Sequence, residues 1–344
     1  MTLFAKRTTS PLHEVDVLIA DLDGVVYAGA GAIPHAVESL RAAAEGRRLG
    51  YITNNASRTD ATVAEHLSEL GLTTAPSDVV TSPQAAMRLL RDRVEPGQTV
   101  LIVGGEGLVR EVERAGYRVT RSADDQPRAV VQGFAPEVGW RDLAEAAYAL
   151  AVPEQDGGIP WIATNTDWTI PQGRGVAPGN GTLVSAVHTA VGRLAVVAGK
   201  PETPIFDEAV ARFGATSPLF IGDRLDTDIL GANRAGIASA LVLTGIDRPK
   251  HVLAAPAGSQ PTYILGDLRE LDQPYPQTQR SADGTIRVGG ARVRVEGARI
   301  RILTEGDKQV DLLRAGAAAI WETGRAIFGF EVPERLYADP FHRP

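Results

Sequence analysis

The chain contains no cysteine, which excludes disulfides, thiolate zinc sites and a cysteine nucleophile together. Lysine is nearly absent too: only Lys6, Lys200, Lys250 and Lys308 occur, against abundant arginine. His13, His35, His66, His188, His251 and His342 are scattered, with no pair at metal-ligand spacing. Any metal is therefore expected to be held by oxygen, which favours Mg²⁺, Ca²⁺ or Mn²⁺. No apolar run approaches a membrane span, and Met1–Arg7 is not followed by a signal-peptide core. A soluble, cytoplasmic protein with no membrane partner is the expectation. The net charge of −7 provides no basic footprint for nucleic acid. At 344 residues the chain has room for two domains or three.

What is present is organised around Asp21-Leu22-Asp23-Gly24-Val25, which closes the apolar run Val15–Ala20. Such a run reads as a buried strand of a parallel sheet, and its carboxyl edge is where open α/β sheets place ligands. Two acids one residue apart point to opposite faces of a continuing strand. Gly24 lets the backbone leave the extended form, so both acids can border one cavity. A strand over Gly50–Ile52 then runs into Thr53-Asn54-Asn55, which suits either a phosphate edge or a helix cap.

From about Ser82 a further α/β alternation begins. Val103-Gly104-Gly105-Glu106-Gly107 has the wrong spacing for a dinucleotide loop and reads as a strand-to-helix turn. Ile170–Gly181 is rich in Gly and Pro and reads as a long loop. Further on come Gly199-Lys200-Pro201, then the strand Pro218–Ile221 ending in Gly222-Asp223-Arg224-Leu225-Asp226-Thr227-Asp228. Gln273–Gln279 reads as a linker. Three short Arg/Val/Ile-alternating segments and a helix over Asp307–Thr323 follow, predicting an antiparallel meander packed by one helix.

Four predicted strand ends thus carry Asp21 and Asp23, Thr53 and Asn54, Lys200, and Asp223 with Asp228. Phosphate-monoester hydrolysis calls for such a set, since it requires accelerations approaching ~10²¹-fold. A carboxylate nucleophile cannot approach a phosphate dianion unless a hard cation and an ammonium neutralise charge. A second acid must protonate the departing alkoxide and later deprotonate water.

These segments, in this order, resemble the four motifs of the haloacid dehalogenase (HAD) superfamily phosphatases, in the NagD-type or p-nitrophenylphosphatase branch. The resemblance implies an aspartyl-phosphate intermediate, with Asp21 as nucleophile and metal ligand. Asp23 would be the general acid/base and give its carbonyl to the metal. Thr53, the Asn54 amide and Asn55 would hold the phosphoryl oxygens, and Lys200 would bridge nucleophile and phosphate. Asp223 would ligate one Mg²⁺ per chain, with Mn²⁺ or Co²⁺ as substitutes, and Asp228 would orient the groups around it. Arg224 and Asp226 are open between a surface ion pair and a direct role. A dehalogenase would leave Asp23 without a task, and a phosphonatase would need a cap lysine that the sequence lacks.

About 30 residues separate Asp21 from Thr53, enough for one crossover, but nearly 150 separate Thr53 from Lys200. The excess implies an inserted domain. The resulting fold class is α/β: a Rossmann-like HAD parallel-sheet core, an inserted α/β C2-type cap and a small α+β C-terminal subdomain. The expected boundaries are 11–81 and 179–272 for the core, 82–178 for the cap, 273–281 for a linker and 282–344 for the extension. Asn165, Asp167 and Arg174 are the expected cap residues facing the substrate. The cap limits the partner to a small phosphorylated metabolite. The Ala/Arg-rich composition and the extension resemble actinobacterial glycerol-3-phosphate phosphatases, which implies glycerol 3-phosphate as substrate. The alternatives are 2-phosphoglycolate, a broad range including nucleotides and p-nitrophenyl phosphate, or a non-catalytic phosphometabolite sensor. A homodimer is left open. The extension, too small to be stable alone, is expected to pack on the core through Val293, Val295, Ile300 and Ile302.

Overall fold

The computed structural model describes residues 9–56, 58–172 and 174–340. Two compact units divide the chain. The first takes it as far as Gly50 and again from Ala215, and the second is Tyr51–Gly214. Among the described residues no helix is long and apolar enough to cross a membrane.

In the first unit the strands Val17–Ala20, Pro218–Gly222, Ala238–Val242 and Tyr263–Leu265 pair in parallel, neighbour to neighbour in that order. Val17–Ala20 is buried throughout, as a strand covered on both faces must be, which is why its sequence is continuously apolar. Ala20 lies opposite Ile221, and the Asp21 N–H still donates to the Ile221 carbonyl at 2.8 Å. Asp21 and Asp223 therefore leave adjacent strands at the same carboxyl edge.

The extension belongs to this unit. Its meander has four strands where three were expected: Thr278–Arg280 precedes Ile286–Val288, Ala291–Glu296 and Arg299–Thr304. The additional strand lies inside the supposed linker 273–281. Its three residues are all exposed, so no apolar alternation marked it; main-chain pairing of Thr278 with Val288 and Arg280 with Ile286 creates it.

Val293 and Ile300 are buried in one cluster with Leu241, Leu253, Ile264 and Leu313, and Val295 and Ile302 pack against it. The helix Gln309–Trp321 is buried nearly all round, not on one face as its sequence pattern suggests. Gly316 permits this, since a Cβ there would lie 2.7 Å from Leu336 Cδ2. Arg314, only 5% exposed, fastens the helix: its Nε donates to the Ile264 carbonyl at 2.8 Å and its Nη1 to Asp311 at 2.7 Å. Its Nη2 reaches Glu270 at 2.5 Å, and the guanidinium stacks over the Tyr275 ring. The arginines on the meander find local acids: Arg294 pairs with Asp283 and Glu296, Arg301 with Glu296, and Arg299 with Glu331.

The second unit contains a five-stranded parallel sheet, in the order Val196–Val197, Trp161–Ala163, Val130–Gln132, Thr99–Val103, Arg118–Thr120. Its core gathers Leu101, Val130, Ala146, Leu150, Trp161, Val184 and Val187. Elements on both sides of the expected 82–178 segment belong to this unit. Helix Asn180–Val191 covers this sheet, and Val196–Val197 forms its edge strand. The segment read as a loop over Ile170–Gly181 is an antiparallel hairpin, Thr169–Gln172 with Gly175–Pro178, followed by the start of that helix. Its Gly and Pro content hid the pairing from a propensity reading. The same unit contains the end of strand Arg48–Thr53, paired in parallel with Val79–Thr81.

Candidate active site

Asp21, Asp223 and Asp228 are all buried, and each offers a carboxylate oxygen within 4.8 Å of the others. Four backbone devices bring them together. Gly24, at φ +80°, turns the chain after Asp23, and a Cβ there would lie 2.3 Å from Asp223 Oδ2. Gly245 closes the other side of the same carboxylate, since its own Cβ would fall 2.0 Å from that oxygen. After Asp223 the chain enters a π-turn, Leu225–Ile229, in which the Ile229 N–H donates to the Arg224 carbonyl at 3.0 Å. The turn points Asp228 back, and its Oδ2 accepts from the Asp223 and Arg224 N–H groups at 3.0 and 3.1 Å. Gly222 leaves room for it, because a Cβ there would lie 2.4 Å from Asp228 Cβ.

Three clustered carboxylates repel one another and lose hydration, so the arrangement favours a cation among them. The donors are all oxygen and rigidly cradled, which fits a hard divalent ion of the Mg²⁺ type. Asp23 is exposed. Arg224 and Asp226 form an exposed ion pair at 2.8 Å.

The segment after strand Ala238–Val242 belongs to this site and was not anticipated. Thr244 Oγ1 donates to the Gly24 carbonyl at 2.8 Å, and the Ile246 N–H donates to Asp223 Oδ2 at 2.6 Å. Asp247 accepts from the Leu225 N–H at 2.5 Å and, with its own N–H, donates to the Asp223 carbonyl at 3.2 Å. Burial pushes its carboxyl above the usual range, against the opposing pull of the Leu225 N–H and His251. Thr244-Gly245-Ile246-Asp247 closing a strand was the available signal.

The other expected residues lie in the second unit. Thr53 is buried and its Oγ1 accepts from the Asn55 N–H at 3.1 Å, with Asn55 itself exposed. Lys200 is 4% exposed. The Asn54 side chain is committed to structure: its Oδ1 accepts from the Lys200 N–H at 2.8 Å, and its Nδ2 donates to the Lys200 carbonyl and to Asp167 Oδ1, both at 3.0 Å. Asn165 donates through Nδ2 to the Asn54 carbonyl at 2.8 Å. Arg174, in contrast, stands exposed in the turn of the hairpin.

A parallel α/β sheet with acids clustered at its carboxyl edge defines an α/β protein built to bind a cation at its strand ends. The comparisons agree. Residues 18–118 match the model of the haloacid dehalogenase-like hydrolases, and 197–271 match a HAD-hydrolase-like model. The D-glycerol 3-phosphate phosphatase of Mycobacterium tuberculosis is 44% identical over 322 residues, covering 91% of this chain and 88% of the relative. The crystal structure of glycerol phosphate phosphatase from M. tuberculosis in complex with magnesium is similar at a TM-score of 0.85 and 42% identity, over 94% of this chain and 95% of that one. NagD from Escherichia coli K-12 is similar at a TM-score of 0.67 and 31% identity, over 75% of this chain and 98% of its own. The chain belongs to the haloacid dehalogenase-like hydrolases, in the branch of the NagD-type phosphatases.

Proposed function

We propose that this chain is a Mg²⁺-dependent phosphatase converting glycerol 3-phosphate to glycerol and phosphate. The observation that carries the chemistry is the buried triad Asp21, Asp223 and Asp228, with oxygens within 4.8 Å of one another. Support for the substrate comes from the relative named as a D-glycerol 3-phosphate phosphatase, whose match covers 91% of this chain.

In the first step the Asp21 carboxylate attacks phosphorus and the bond from phosphorus to the glycerol oxygen breaks. Asp23, at the exposed mouth of the turn, gives that oxygen its proton. The aspartyl-phosphate is then hydrolysed: Asp23 takes a proton from water, the water oxygen attacks phosphorus, and the Asp21 carboxylate leaves. Thr53 Oγ1, the main-chain N–H groups of Asn54 and Asn55, and the Lys200 ammonium hold the phosphoryl oxygens. Asp21, Asp223 and the Asp23 carbonyl would hold Mg²⁺, with Asp228 steadying the loop, and the ion would supply charge neutralisation for nucleophile and phosphate. Selection of the leaving group is assigned to Arg174, which is exposed and charged at the hairpin turn.

The test is phosphate release from glycerol 3-phosphate, 2-phosphoglycolate, a nucleoside monophosphate and p-nitrophenyl phosphate, with and without Mg²⁺, for wild type and Asp21→Asn. The expected result is Mg²⁺-dependent release with kcat/KM highest for glycerol 3-phosphate, and none from Asp21→Asn. Similar kcat/KM for all four esters would replace the substrate assignment with broad specificity, and no release from any would leave a sensor.

A further inference from the structure

Asn54, Asn165 and Asp167 close a ring of hydrogen bonds. Asn54 Nδ2 donates to Asp167 Oδ1 at 3.0 Å, the Asp167 N–H donates to Asn165 Oδ1 at 3.2 Å, and Asn165 Nδ2 donates to the Asn54 carbonyl at 2.8 Å. The ring grips Lys200 by its main chain, because Asn54 pairs with both the N–H and the carbonyl of that residue as a neighbouring strand would. Gly199 allows the approach: a Cβ there would lie 2.6 Å from both Asn54 Oδ1 and the Thr164 carbonyl.

The geometry also sets the orientation of the Asn54 carboxamide. A carboxylate only accepts, so Nδ2 must face Asp167. Turned over, the Asn54 oxygen would meet the Asp167 carboxylate and the Lys200 carbonyl, and its NH₂ would meet the Lys200 N–H. Every contact would then be like against like. The carboxylate of Asp167 thus selects the one amide orientation that can pair with Lys200. Its own backbone is fixed in turn, because its carbonyl accepts from the Gly181 N–H at 2.9 Å and leaves no room for a Cβ at Gly179, which would fall 2.1 Å away.

We propose that Asp167, acting through Asn54, is a positioning residue for Lys200 and serves phosphoryl transfer for every substrate, where the sequence suggested a contact to the leaving group. This rests on the reading of Lys200 as the phosphate-holding ammonium. A buried lysine at the base of a reacting phosphate must be placed to a fraction of an ångström, and displacement by about 1 Å can cost 10²-fold in rate.

The experiment is a double-mutant cycle on kcat/KM with glycerol 3-phosphate and p-nitrophenyl phosphate. Asp167→Ala should lower both substrates by the same factor, about tenfold. Asp167→Asn should restore most of the loss, since its side-chain oxygen can still accept from Asn54 Nδ2. In a Lys200→Ala background Asp167→Ala should cause no further loss, because the group it positions is gone. Should Lys200→Ala turn over too slowly to follow, the same cycle is read on the affinity for orthovanadate. Additive losses would overturn the proposal, as would a change in substrate ranking with Asp167→Ala. A Lys200→Ala protein equal to wild type in rate and vanadate affinity would refute the assignment of Lys200 itself, and the positioning role with it.

Discussion

Gly24→Ala tests the construction of the acidic cluster. The new methyl group would sit 2.3 Å from Asp223 Oδ2 and 3.0 Å from the Gly245 Cα, at a backbone φ of +80°. Ordinary non-bonded contact needs about 3.5 Å. The carboxylate would have to retreat by roughly 1 Å. Gly245 and the Ile246 N–H, which binds the same oxygen at 2.6 Å, block that retreat. The left-handed conformation costs about 1–2 kcal/mol with a side chain, and loss of a charge-assisted hydrogen bond adds about 1.5–3 kcal/mol. Gly46→Ala is the matched control: its φ is +75° with nothing within 4 Å of the new methyl, so it carries the backbone term alone. Urea denaturation without Mg²⁺ should show Gly24→Ala less stable than Gly46→Ala by about 1.5–3 kcal/mol. A Mg²⁺ titration of p-nitrophenyl phosphate turnover should show weaker activation, with kcat lowered about 10²-fold. If the two variants had the same stability and the same Mg²⁺ dependence, the glycine cradle would have no part in holding Asp223.

Arg314→Met should unfold more easily by about 3–5 kcal/mol, because buried Asp311 and half-buried Glu270 lose their counter-charge; a melting temperature within a degree of wild type would refute the bolt between extension and core. Tyr51 governs alkaline stability. Burial pushes its phenol from 10.0 to about 12, so its contribution is complete below pH 10 and is lost as pH rises through about 12. That gap corresponds to roughly 2–3 kcal/mol, so Tyr51→Phe should flatten the fall in stability between pH 10 and 12 measured by denaturant titration. Glu111 behaves in the same sense at lower pH: burial raises its carboxyl, stability is lost as it ionises, and Glu111→Gln should therefore raise the melting temperature at pH 7.

By itself the sequence determined the parallel sheet and the acids at its carboxyl edge, and it raised the expectation of an inserted domain. Each rests on a local rule. Continuous apolar runs such as Val17–Ala20 belong to doubly covered strands. Acids and glycines at their ends mark the ligand edge, and a gap of nearly 150 residues between Thr53 and Lys200 exceeds any crossover. Only the tertiary structure decided the rest, because it depends on partners distant in the chain. Thr278–Arg280 is a strand through its pairing with Ile286–Val288, with no buried face to announce it. Helix Asn180–Val191 joins the second unit because Val184 and Val187 pack against Trp161. Asn54, a plausible phosphate ligand by its neighbours in sequence, spends its carboxamide on Lys200, nearly 150 residues away, and on Asp167. A side chain's hydrogen-bonding capacity is written in its residue type, but the partner that uses it is chosen by the fold.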